Sequence, residues 1–191
     1  MQPGAKFLTL HPSSFADPLV PPADGLKIDA VVRDLTPTPG IESALGLDVD
    51  GARDSATLTA LVAAISSRPG PLGPQTECMA KVIYHEAANQ PLEGQLAIAQ
   101  LILNRASSGR FPTSVCSVVN QPGQFFSTRR FTAPAKSARW KTAIAVARVA
   151  MAYDLPQAAP GALFYHASYV RPSWSHKRVK VAQIGAHVFY R

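Results

Sequence analysis

An α+β fold is predicted, with helices first and a small antiparallel sheet last. Through residues 76–153 apolar side chains recur at spacings of three and four, the signature of amphipathic helices. Beyond Pro160-Gly161 the pattern breaks into short β-branched and aromatic runs of strand length. Ten of the 17 prolines lie before residue 76, which sets the first part of the 191-residue chain apart as an extension.

The elements follow in order. Residues 1–75 read as a Pro-rich N-terminal arm or linker. They contain Pro21-Pro22 and Pro37-Thr38-Pro39-Gly40, and one short helix at 55–66 carrying Leu58, Leu61, Val62 and Ile65 on a single stripe. Residues 76–191 read as the main domain. Its first helix places Met79, Val82, Ile83 and Glu86 on one face. Asn89-Gln90-Pro91 interrupts it, and Pro91 suits the first turn of a second helix reaching Arg105. That helix is apolar nearly all round, as a central helix is. Pro112 is expected to open a short helix through Val119. Residues 120–135 hold Gly, Pro and three phenylalanines (Phe125, Phe126, Phe131) and suit a loop lining a cleft. A long Ala-rich helix follows over 137–153, then strands at 162–166, 179–183 and 187–190.

Charge divides the chain as well. Before Glu77 the acids Asp17, Asp24, Asp29, Asp34, Glu42, Asp48, Asp50 and Asp54 outnumber the bases. From there on, only Glu77, Glu86, Glu93 and Asp154 are acidic among many Lys and Arg, within a net charge of +7. Such a field attracts polyanions, the carboxylates and phosphates of a bacterial envelope among them. No run approaches the roughly 20 apolar residues of a membrane span, and the first residues lack the layout of a signal peptide.

Glu86 is the most informative position. A carboxyl on an apolar helix face resists ionisation, which suits a proton donor near neutral pH; an ion pair at the helix edge is the structural alternative. His85-Glu86 invites a zinc-protease reading, but the second His of that motif is replaced by Asn89, so no metal and no cofactor is expected. Glycosidases commonly use two carboxylates. Their scarcity here favours chemistry with one essential acid, in which the sugar's own C6 hydroxyl is the nucleophile. No Gly-rich phosphate loop or Gly-x-Ser-x-Gly elbow occurs. Tyr84, Gln95, Asn104, Gln124, Tyr165 and His166 offer the flat faces and amide groups that sugars require. Cys78 and Cys116 make no zinc spacing; a disulfide and a pair of buried thiols both remain open.

The stretch from Cys78 to Arg105, CMAKVIYHEAANQPLEGQLAIAQLILNR, resembles the opening of the SleB-like (spore-cortex-lytic) cell-wall hydrolase family. That family runs C-x-A-x-x-I-Y-x-E-A and then P-x-E-G-Q-x-A-x-A-Q-x-x-L-N-R. FPTSVCSVVNQPGQF at 111–125, ALFYHA at 162–167 and IGAHVFYR at 184–191 match its later blocks in order. The resemblance implies a metal-free, lysozyme-like domain that cuts peptidoglycan glycan strands as a lytic transglycosylase. Glu86 would be the catalytic residue, with Tyr84, Gln95, Asn104, Gln124, His166 and His187 in the cleft or its support. Two departures stand out: His85 where the family has an aromatic, and Phe126-Ser127 where it has Ser before an aromatic. The alternatives are an amidase, which would need zinc, and a basic envelope-binding module without activity. The implied partner is peptidoglycan, acted on by a monomer in the periplasm or envelope, with no specific nucleic acid. Export after signal removal and release as a phage-type lysin both fit.

Overall fold

The computed structural model describes residues 55–191, apart from Pro69, Ser127, Arg129 and Arg130. The arm expected over 1–54 lies outside the described residues.

Helix α1 (Ser55–Ser67) turns Leu58, Leu61, Val62 and Ile65 into the same core as the rest of the domain. Among the described residues, α1 thus packs with the helices that follow Thr76. Helix α2 (Pro74–Val82) starts on Pro74, whose missing N–H costs nothing there, and pairs Glu77 with Lys81 at 2.9 Å one turn on. It runs into a π-helical turn, Ile83–Ala87. Helix α3 (Leu92–Ser107) is the centre of the domain: Gly94 through Ile102 are all buried, as its apolar circumference predicts. Helix α4 (Val115–Val119) begins three residues after Pro112, later than expected. Ser114, not the proline, starts it, accepting a hydrogen bond from the Ser117 N–H.

Helix α5 (Ala138–Ala152) is capped by Ser137, whose hydroxyl accepts from the Trp140 N–H. Its small buried residues Ala143, Ala145, Ala147 and Ala150 let α1, α2 and α3 lie close against it. Ser137→Ala is expected to lower stability by about 1 kcal/mol, read as a shifted urea midpoint at unchanged slope. Arg148 on α5 donates to the carbonyls of Gly70 and Pro71 (2.6 and 2.9 Å), tying the α1–α2 connection down.

The sheet comprises β1 (Phe164–Ala167), β2 (Lys180–Ile184) and β3 (His187–Tyr190), in the antiparallel order β1-β3-β2. Alternation along the strands divides its side chains. Phe189 joins the helical core, with Tyr165 packed against it. Phe164, Val188 and Tyr190 form a second cluster with Trp174 on the opposite face. The β2–β3 turn needs Gly185: its φ is +54°, and a Cβ there would run into Gln90 Oε1. That oxygen accepts the Ala186 N–H at 2.8 Å, which locks the turn to the segment just after the π-turn.

Candidate active site

The π-turn sets the geometry. The turn takes more residues per revolution than an α-turn, and Glu86, unlike Met79, Val82 and Ile83, is not among the buried residues. Ile83 and Ala87 point inward, whereas the Glu86 side chain keeps 21 % of its surface exposed. The sequence pattern implied fuller burial; the carboxyl sits instead partly exposed on a π-turn.

Both carboxyl oxygens have partners. Tyr165 on β1 donates its hydroxyl to Oε2 at 3.1 Å. His85 Nδ1 lies 3.2 Å from Oε1. Burial, reinforced by the Glu86 charge and this hydrogen bond, holds the Tyr165 phenol well above its usual range, so it stays a donor. His187 stands edge-on to Tyr165, 5.2 Å between centroids. Burial pushes the His187 imidazole down, while Glu86 pulls the other way, and among the described residues its Nδ1 has no hydrogen-bond partner. Gln95 lies in the core beneath: its Nε2 donates to the Gln90 carbonyl at 3.0 Å.

An aromatic wall flanks the carboxyl. His85 lies flat on Phe126, with centroids 3.8 Å apart and planes at 9°. Phe126 meets Phe131 edge-on, and Tyr84 packs between Phe131 and Trp140. Phe125 stacks on Tyr165 from the other side. Phe125 and Phe126 also line a groove of about 260 Å³ with Asn120, Gln121, Pro122 and Gly123. Gln124 sits in that loop, half-buried. Arg105 is buried behind Phe125, its Nε donating to the Leu163 carbonyl at 2.8 Å; burial lowers its guanidinium to about 10, so it remains charged at neutral pH.

Not every candidate gathers here. Asn104 donates to Gln157 Oε1 and the Ala162 carbonyl, which holds the segment leading into β1 rather than facing Glu86. His166 is on the other face of the sheet, bonded to the Tyr190 hydroxyl at 2.9 Å and packed beside Trp174. Strand alternation forbids neighbouring residues from facing one cleft, so Tyr165 and His166 could not both reach it. The direct bond from Tyr165 to Glu86 and the role of the π-turn were missed from sequence. Cys78 and Cys116 are joined by a disulfide that ties α2 to α4. Among the described residues no three His, Cys, Asp or Glu side chains cluster as metal ligands would, and no helix is long and apolar enough to cross a membrane.

Tyr165→Phe removes one charge-assisted bond to the carboxyl without changing the ring. Turnover is expected to fall about tenfold with the melting temperature nearly unchanged. Parallel steady-state rates and thermal melts check this.

Known proteins share this sequence and architecture. The chain is 35% identical over 116 residues to a spore cortex-lytic enzyme of Oceanobacillus iheyensis, covering 59% of this chain and 40% of the relative. It is 35% identical over 114 residues to the spore cortex-lytic enzyme of Bacillus subtilis, 58% of this chain and 35% of the relative. It therefore spans well under half the length of these relatives. The crystal structure of the catalytic domain of the Bacillus cereus SleB protein superimposes with a TM-score of 0.51 at 27% identity, over 64% of this chain and 94% of that one. That likeness carries the lysozyme-like class of the fold. A profile of the cell wall hydrolase family matches residues 89–190, starting just after Glu86 and taking in β1 and the groove-lining residues. Matched over more than half its length, the chain belongs to the cell wall hydrolase family.

Proposed function

We propose that this chain cleaves the peptidoglycan glycan strand between N-acetylmuramic acid and N-acetylglucosamine, as a lytic transglycosylase with Glu86 as the acid and then the base. The observation that carries this reading is a carboxyl held by Tyr165 and His85, the two rings that stack on the groove-lining Phe125 and Phe126. The other acids of the described domain stand apart in role: Glu77 is paired with Lys81, and Glu93 and Asp154 are exposed at helix ends. A flat aromatic wall beside hydrogen-bonding groups suits sugar rings.

The steps need one proton carrier. Protonated Glu86 gives its proton to the glycosidic oxygen as the bond from that oxygen to C1 of muramic acid breaks. The resulting carboxylate takes the proton of the C6 hydroxyl of the same sugar. O6 bonds to C1, closing a 1,6-anhydro ring, and Glu86 is again protonated. The nucleophile arrives already tethered to the reacting carbon, at very high effective concentration. Tyr165, donating to Oε2 throughout, steadies the carboxylate when the proton is away. Gln95 and His187 support the floor beneath Glu86 and Tyr165, Tyr84 braces the aromatic wall, and Gln124 lies in the loop that carries Phe125 and Phe126. Asn104 and His166 act through the framework that positions β1. We place the action at the bacterial envelope, where this substrate lies, with peptidoglycan as the partner.

Purified peptidoglycan digested with and without chelator and analysed by mass spectrometry tests the reading. Anhydro-muropeptides insensitive to chelator are expected. Free stem peptides would instead mark an amidase, and intact strands a binding module.

A further inference from the structure

The Glu86 carboxyl is gripped on two sides, and the two grips differ in kind. On Oε2 the Tyr165 hydroxyl can only donate to a carboxylate. On Oε1 the His85 Nδ1 can donate as one neutral tautomer and accept as the other. A group that does both matches an oxygen that is alternately bare and protonated. The imidazole is also not free to swing: it lies on Phe126, which is backed by Phe131 and, through it, by Tyr84 and Trp140. A ring that is 42 % exposed would otherwise have little to hold it in one rotamer. Among the described residues of the other packed elements, Tyr165 bonds to Glu86, His187 stands edge-on to Tyr165, and the Phe126 ring lies on His85.

We propose that His85 is a positioning residue for Glu86: stacked on Phe126, it fixes the carboxyl plane through Oε1 and marks that oxygen as the one that carries the working proton. This rests on the reading of Glu86 as the acid. The stack and the hydrogen bond are separable. His85→Phe keeps a ring on Phe126 and deletes the nitrogen; His85→Asn deletes the ring and keeps a polar atom near the place of Nδ1.

The expected result is a fall in kcat of about tenfold for His85→Phe with KM changed by less than about twofold, and partial recovery of kcat in His85→Asn. The His85 Nδ1 resonance is also expected to move between wild type and Glu86→Gln. A kcat for His85→Phe equal to wild type would overturn the proposal, as would a loss confined to KM, since that assigns the ring to substrate binding alone. Both variants are surface changes and are expected to fold. Undiminished cleavage by Glu86→Gln in the same assay would remove the reading beneath the proposal and the proposal with it; normal dependence on Glu86 with an indifferent His85 would remove the proposal only.

Discussion

Glu86→Gln is expected to lower glycan cleavage by about 10³-fold or more while leaving the fold intact. The substitution is nearly isosteric, and the amide still offers an oxygen to Tyr165 and a polar partner to His85. What it cannot do is give up a proton to the glycosidic oxygen or take one from the C6 hydroxyl. Both halves of the proposed reaction fail together, so no residual first step is expected. Because Glu86 is partly exposed and its partners remain satisfied, thermal stability is expected to change by less than about 1 kcal/mol. Rates on purified peptidoglycan, set beside a melting curve for each protein, check both parts. A variant that is slow only because it is unfolded would be unmasked by the melt.

The disulfide supplies the second large effect. Cys78 and Cys116 are 38 residues apart in sequence, and closing such a loop removes unfolded-state entropy worth about 3–4 kcal/mol. Its position gives it a further consequence. Cys78 lies on α2, whose continuation is the π-turn bearing Glu86, and Cys116 lies on α4, which leads into the groove loop. Replacing both cysteines by Ser is expected to lower the urea unfolding free energy by about that amount. Reductant is expected to have the same effect on the wild type and none on the double variant. An unchanged midpoint in reductant would show that the link carries no stability.

The fold was legible where one rule governs a stretch. The apolar circumference of residues 92–105 marked the central helix, and the β-branched and aromatic runs near the end marked the three strands. Alternation along β1 separates Tyr165 from His166, and applied strictly it would have placed only one of them at the cleft. What escaped was local helix type. Nothing in Ile83-Tyr84-His85-Glu86-Ala87 distinguishes a π-turn from an α-turn by pattern, and the ring contacts of Tyr84 with Phe131 and Trp140 come from distant segments. The start of α4 escaped for a related reason: Pro112 and Ser114 are both start signals, and the side-chain bond of Ser114 decides between them. Glu86 stood out in the sequence as a carboxyl on an apolar helix face, whereas its two hydrogen-bonding partners, one adjacent and one 79 residues away, emerge only once β1 is folded against the π-turn.

The central claim is that one carboxyl suffices because the substrate supplies its own nucleophile. Digestion of peptidoglycan in heavy-oxygen water tests it most directly. If O6 of muramic acid attacks, the new ends are anhydro rings and carry no label. Heavy oxygen at a reducing muramic acid would mean that water attacks, would contradict the one-acid mechanism, and would direct the search for a second carboxylate to Glu93.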